Sequence, residues 1–139
     1  MAAMPEAVRT AIERLMVEHC RNVDVLEDID RLIALFTEDA VADMTAIGVP
    51  LIEGRAALAD FYAGVFANLS HSFHLIGNCR AESWDGKVGT MSAYVIGMGQ
   101  PRAGARVEMQ VRYVMECIET TGGWRCRRYT VTPMMPLGG

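Results

Sequence analysis

The sequence lacks the features that would place it in a membrane or on nucleic acid. No apolar run among its 139 residues is long enough to span a bilayer. The N-terminal segment carries acidic residues early and has no continuous apolar stretch of the kind found in signal peptides. Acidic residues outnumber basic ones by 17 to 13, and a formal net charge of −4 makes nucleic acid a poor partner. We therefore expect a soluble, cytoplasmic protein that binds neither nucleic acid nor membrane.

Motifs for metals, nucleotides and serine hydrolases are also missing. The three histidines show neither HxH nor HExxH spacing, and the four cysteines match no metal or redox motif. No glycine-rich phosphate loop joins a strand to a helix, and no GxSxG elbow is present. We therefore expect no cofactor and no metal. The irregular cysteine spacing favours four reduced thiols, in keeping with a cytoplasmic protein.

The first half of the chain has apolar residues at helical spacing. They recur every three or four positions and predict a first helix that ends near Asp24. A second, shorter helix is expected after Asp28, a suitable N-cap, and residues 37–39 are expected to close it. A third helix is predicted from Gly54 to about Leu69.

The second half of the chain has the alternating pattern of long strands. The predicted strands, including two short ones between the helices, span residues 40–44, 51–52, 71–84, 88–98, 106–119 and 124–133. Asp85 and Gly86 indicate a hairpin turn. Three helices followed by an antiparallel meander predict an α+β fold, with the helices on one face of a curved antiparallel sheet. Because no linker or repeat interrupts the pattern, residues 1–139 are expected to form a single domain.

Few side chains are suited to buried acid–base chemistry. Asp24 falls at the predicted end of the first helix, His19 lies five residues before it, and His74 lies in the first long strand. A carboxylate hydrogen-bonded to one imidazole nitrogen fixes the tautomer and raises the basicity of the other nitrogen, which can then remove a proton. A phenol such as Tyr113 or Tyr129 is suited to hold a developing oxyanion. From spacing alone, a helix cap and packed strand residues explain these side chains equally well.

Other residues are candidates for the lining of an apolar pocket. Strand alternation places Asn78 on the same face as His74. The flexible thioether of methionine suits an adaptable lining, although core packing explains the methionines equally well. The candidate substrate-binding residues are Met44, Phe61, Asn78, Met109 and Met115.

Three segments carry a resemblance to a known family. The segment HCRNVDVLEDIDRLIALFTEDAV resembles the opening signature of the SnoaL-like branch of the NTF2-like superfamily. HSFHLIGN resembles the H-x-x-H-x-x-x-N strand of the same group, and GWRCRRY resembles its final GWR-x-x-R strand. The resemblance covers about residues 6 to 133. It implies an NTF2-like (cystatin-like) cone, in which the helices and sheet enclose an apolar pocket.

The resemblance also implies roles for individual residues. Hexachlorocyclohexane dehydrochlorinase, scytalone dehydratase and bile-acid 7α-dehydratase use an Asp–His dyad, which maps by similarity to Asp24 and His74. The chain departs from the group at two positions. His19 stands where some dehydratases have a pocket tyrosine, and Tyr129 stands where the group often has an arginine. The resemblance therefore assigns the Asp–His dyad to this chain, but it does not assign the tyrosine and arginine that accompany the dyad in other members of the group.

These observations together predict a cofactor-independent lyase or isomerase, dehydratase- or cyclase-like, that acts on a small, hydrophobic, cyclic substrate. His74 is the expected general base and Asp24 its orienting partner, with His19, Tyr113 or Tyr129 as acid or oxyanion donor. Two alternatives remain open at this point. One is a non-catalytic protein that binds a hydrophobic ligand, and the other is a structural subunit like the β subunit of a ring-hydroxylating dioxygenase.

The face of the sheet opposite the pocket predicts self-association. Strand alternation places Arg112, Val114, Glu116 and Ile118 on that face, where apolar side chains would otherwise meet water. Opposite charges on one patch can pair when the patch meets itself across a two-fold axis. We therefore expect a homodimer or a higher homo-oligomer.

Overall fold

The helices follow the capping and spacing signals of the sequence. The computed structural model describes residues 3–138. Its helices are α1 (Glu6–Val25), α2 (Ile29–Ile33) and α3 (Arg55–Asn68). Asp28 caps α2 by accepting a hydrogen bond from the Arg31 backbone N–H at 3.0 Å. Leu26 ends α1 in the left-handed region, with φ of 58°. No helix within residues 3–138 combines the length and the hydropathy needed to cross a bilayer.

The strands form one curved six-stranded sheet. They are β1 (Phe36–Asp43), β2 (Ile52–Glu53), β3 (Leu69–Trp84), β4 (Val88–Pro101), β5 (Val107–Thr120) and β6 (Gly123–Pro133). Their spatial order is β2-β1-β6-β5-β4-β3. The three helices pack on this sheet, so the predicted α+β architecture is confirmed. The sheet is mixed rather than wholly antiparallel, because β1 and β6 run parallel. Alternation reveals which residues share a face but carries no information on strand direction.

The second helix is shorter than the sequence pattern predicts, and the strand after it begins earlier. A strand was expected over residues 40–44, whereas β1 begins at Phe36. The backbone N–H of Cys126 donates a hydrogen bond to the Leu35 carbonyl at 2.8 Å, and Phe36 pairs with Cys126. A partner 90 positions away therefore ends the helix, and such pairing cannot be deduced from the local sequence.

A closely packed part of the core lies between the first half of α1 and the sheet. Ile12 and Met16 of α1 and Met91 of β4 are fully buried there. A side chain on Gly89 would lie 2.6 Å from Ile12 Cδ1, so the first half of α1 lies directly against β4. Burying each large apolar side chain contributes about 1.5–3 kcal/mol. His19 and Val23, in the second half of α1, line the cavity described below.

The outer face of the sheet carries an apolar patch on β3 and β4. Phe73, Leu75, Tyr94 and Ile96 are 51%, 59%, 46% and 38% exposed, respectively. These four side chains, called the outer patch below, lie on neighbouring strands with Leu75 directly opposite Ile96. The β5 residues named in the sequence prediction lie on this same face, with Arg112 directly opposite Tyr94. There, Glu116 already pairs with Arg127 at 3.3 Å within the same chain.

We propose that a second copy of this chain covers the outer patch. Four half-exposed large side chains present about 400 Å² of contiguous apolar surface, and a patch of this size often marks a functional contact. A two-fold contact through this patch supplies the apolar centre of an interface, with Arg112 beside Tyr94 in its polar rim. The proposed contact is therefore isologous, and each copy contributes the same residues.

Light scattering at micromolar concentration tests this proposal. The unmodified protein is expected to give the mass of a dimer. Leu75→Glu places a charge in the apolar centre and is expected to raise the dimer Kd by at least ~10-fold. Leu51→Glu is the matched control, because Leu51 is 47% exposed but lies outside the patch. A monomer mass for the unmodified protein across the micromolar range would contradict the proposal.

Candidate active site

A cavity of about 640 Å³ lies between α1, α3 and the inner face of the sheet. The sequence-predicted residues that line it are His19, Met44, Phe61, His74, Met109, Tyr113 and Tyr129. Valine, leucine and isoleucine side chains supply much of the remaining wall. No lysine, arginine, aspartate or glutamate from residues 3–138 is among the lining residues. The cavity is therefore apolar, with a small number of uncharged hydrogen-bonding groups.

Asp24 binds His74 at the cavity wall. Its carboxylate lies 2.6 Å from His74 Nδ1 and also accepts hydrogen bonds from the His74 backbone N–H and the Ser72 hydroxyl, both at 2.9 Å. The end of α1 places the carboxylate, and alternation along β3 places Ser72 and His74 on the same face. A carboxylate at Nδ1 keeps the proton on that nitrogen, so Nε2 is the free, basic nitrogen.

The Asp24 carboxyl is held in its ionised form. Its partial burial raises the pKa, but the hydrogen bonds from His74 and Ser72 outweigh this effect and hold the pKa below its ordinary value. The carboxylate is therefore charged at neutral pH, as a partner for a transient imidazolium must be. Sequence reasoning missed Ser72. Its position two residues before His74 was the only available signal.

His19 lies deeper, among aromatic rings. It is 2% exposed, and its Nε2 lies 3.0 Å from the Tyr62 hydroxyl. The Tyr129 ring centroid is 4.8 Å away, and the Phe36 and Tyr113 rings present edge contacts at 5.8 Å. Burial, with a smaller contribution from the nearby His74, lowers the pKa of His19 to about 3. His19 is therefore neutral at physiological pH. It is therefore unsuited to act as a cationic acid, and it can act only as a neutral hydrogen-bonding group.

Three tyrosines surround His19, and all keep their protons. Burial raises the pKa of Tyr62, Tyr113 and Tyr129 well above the ordinary value. Tyr113 and Tyr129 pack edge to face, with ring centroids 5.0 Å apart. A neutral phenol donates a hydrogen bond, which suits it to a developing oxyanion. Sequence reasoning missed Tyr62, because nothing in the local pattern indicates its contact with His19.

Two predicted substrate-binding residues lie away from the cavity. Asn78 is exposed, with φ of 51°, where the β3–β4 register shifts between Gly77 and Arg80. This irregularity interrupts the alternation on which its prediction depended. Met115 is 1% exposed and pairs with Met91 of β4, so it belongs to the packed end of the core.

Comparison with known proteins places the chain among SnoaL-like domains. A sequence profile of the SnoaL-like domain matches residues 7–130. The chain is 40% identical to a candidate aromatic ring hydroxylase from Novosphingobium aromaticivorans, with a TM-score of 0.95 over 99% of this chain and 96% of that chain. No curated protein sequence matches at a significant level.

Two more distant structures share the fold. A candidate scytalone dehydratase from Novosphingobium aromaticivorans is 20% identical, with a TM-score of 0.81 over 91% of this chain and 83% of that chain. A type 2 hexachlorocyclohexane dehydrochlorinase is also 20% identical, with a TM-score of 0.78 over 96% of this chain and 93% of that chain. These similarities confirm the predicted family and the cystatin-like fold.

The neutral state of His19 predicts a loss of stability in acid. In the unfolded chain this imidazole has its ordinary pKa of 6.5, whereas in the folded protein its pKa is about 3. Its contribution to stability is therefore complete above pH 6.5 and is lost as the pH falls toward 3, at about 1.4 kcal/mol per pH unit. His19→Gln, which retains a partner for Tyr62, is expected to remove this slope.

The free energy of unfolding in urea, measured between about pH 7 and pH 4, checks this expectation. His71→Gln is the matched control, because His71 is an exposed histidine on β3. It is expected to leave the slope intact. An equal slope in the unmodified protein and in His19→Gln would show that His19 is not buried in its neutral form.

Proposed function

Since the chain belongs to the SnoaL-like family, we propose that it is a cofactor-independent lyase or isomerase acting on a small, uncharged, cyclic substrate. The observation that carries this proposal is the 2.6 Å contact between His74 Nδ1 and Asp24, which leaves Nε2 free at the wall of an apolar cavity. Dehydratase and dehydrochlorinase names among the structures that share the fold are consistent with this reaction class.

In the proposed reaction, His74 is the general base. Nε2 takes a proton from a carbon next to a carbonyl group, and the electron pair of the broken C–H bond moves into an enolate. The Asp24 carboxylate stabilises the imidazolium that forms, and the Tyr113 hydroxyl donates to the enolate oxygen. In a dehydration, a β-hydroxyl then leaves with the proton from Nε2 as water. In an isomerisation, the same proton returns to another carbon of the substrate.

The lining of the cavity supports an uncharged substrate. No lysine or arginine from the described part of the chain lines it to pair with a carboxylate or phosphate, and the Asp24 carboxylate lies behind His74. An anionic substrate would therefore be buried without a partner, which is strongly unfavourable. Phe61, Val65 and Met109 offer apolar contacts instead. The volume of about 640 Å³ falls within the range of about 300–1,000 Å³ that is usual for small-molecule sites.

A second candidate function is a structural subunit like the β subunit of a ring-hydroxylating dioxygenase. The name of the 40% identical relative, a candidate aromatic ring hydroxylase, favours this alternative. A structural subunit does not require the free Nε2 of His74, and neither does a protein that only binds a hydrophobic ligand. The substitution experiment below therefore separates both alternatives from the proposed enzyme.

Substitution of the dyad tests the proposed function, beginning with a screen of cyclic β-hydroxy ketones and cyclic enones. His74→Gln removes the proton acceptor and is expected to reduce kcat by about 10²–10⁴-fold without unfolding the protein. Asp24→Asn nearly preserves shape but removes the charge, and it is expected to reduce kcat as well. The double variant is expected to lose little more than His74→Gln alone, because both residues act as one unit.

The control for this series is His71→Gln, a substitution of an exposed histidine three residues before His74. It is expected to leave turnover unchanged. An active protein whose His74→Gln variant works at the full rate would refute the dyad. A protein that binds these ring compounds, with no turnover in any form, would favour the ligand-binding alternative.

A further inference from the structure

The free nitrogen of His74 borders a residue that has no side chain. In the register of β3 and β4, His74 lies directly opposite Gly97, and on the other side Gly97 lies opposite Met109 of β5. Directly opposed residues point to the same face of a sheet, so all three lie on the cavity side. A Cβ atom added to Gly97 would lie 3.3 Å from both Cδ2 and Nε2 of His74.

The backbone does not explain why position 97 is glycine. Its φ lies outside the left-handed region, unlike the φ values of Gly86 and Gly104. Glycine in the interior of a strand weakens the strand, and it often occurs there because another group approaches the backbone closely. Here the approaching group is the imidazole of His74, which lies over the backbone of β4.

We propose that Gly97 is a positioning residue for His74: the absence of a side chain lets the imidazole lie over β4, with Nδ1 on Asp24 and Nε2 toward the cavity. A methyl group at position 97 would displace the ring by a few tenths of an ångström. The hydrogen bond to Asp24 is short, at 2.6 Å, and such bonds weaken steeply with distance and angle. The consequence for turnover rests on the proposed function, whereas the geometric consequence does not.

Gly99 provides a matched control on the same strand. It lies two residues farther along β4 on the same face, opposite Ser72 and Val107. A Cβ atom there would lie 3.2 Å from Leu69 Cδ2, which is the flexible end of a side chain and can rotate away. Gly99→Ala therefore reproduces the loss of a strand glycine without pressing on His74.

Nuclear magnetic resonance of ¹⁵N-labelled histidines tests the proposal at about pH 9, where imidazoles are neutral. In the unmodified protein, His74 is expected in the Nδ1-protonated tautomer. Gly97→Ala is expected to lower the ratio of this tautomer to the Nε2-protonated form by at least ~10-fold, because the hydrogen bond that selects it is weakened. Gly99→Ala is expected to retain the original ratio. A folded Gly97→Ala protein with an unchanged tautomer ratio would overturn the proposal.

A double variant keeps the test decisive if Gly97→Ala does not fold. In Gly97→Ala/His74→Ala the ring that meets the new methyl group is absent, so this protein is expected to fold like His74→Ala alone. Failure of the double variant to fold would show that the backbone, rather than the imidazole, requires glycine, and the proposal would be wrong. If Gly97→Ala changes the tautomer ratio but turnover is undiminished, the positioning role of Gly97 is confirmed. The same result would contradict the proposed role of His74 as the general base.

Discussion

The Asp24 carboxylate joins the first helix to the sheet at the wall of the cavity. It accepts three hydrogen bonds from β3, two of them from His74 and one from Ser72. These bonds compensate for the partial burial of the charge, and they fix the end of α1 relative to the strand. A single ionised group therefore fixes the cavity wall and the tautomer of His74 together.

The few polar groups inside the apolar cavity are uncharged. His19 is kept neutral by burial and contacts Tyr62, while Tyr113 and Tyr129 retain their protons for the same reason. Charge is confined to the Asp24–His74 pair at the wall. In the proposed reaction, this separation lets one side of the cavity take a proton while the other side donates hydrogen bonds to an oxyanion. Water-poor surroundings strengthen both interactions.

Much of this arrangement can be predicted from the sequence, and the remainder depends on contacts between distant residues. Capping at Asp28 and the alternation around His74 are local signals, and both agree with the structure. The parallel pairing of β1 with β6 is not local, and neither is the contact between His19 and Tyr62. The prediction for Asn78 is wrong because the register shift between Gly77 and Arg80 interrupts the alternation of the strand. The effect of Gly97 on His74 likewise cannot be predicted without the register of β3 and β4, which places the two residues opposite each other.

In the proposed mechanism, Asp24 holds His74 so that Nε2 faces a substrate in the cavity. A crystal structure of the protein with 2-naphthol, a flat and uncharged phenol, tests this geometry. The ring is expected in the cavity, with one of its atoms within about 3.5 Å of His74 Nε2. His74 Nδ1 is expected to remain bonded to Asp24, with the naphthol hydroxyl against a buried tyrosine. A ring bound outside the cavity, or an imidazole turned so that Nε2 meets Asp24, would contradict this mechanism.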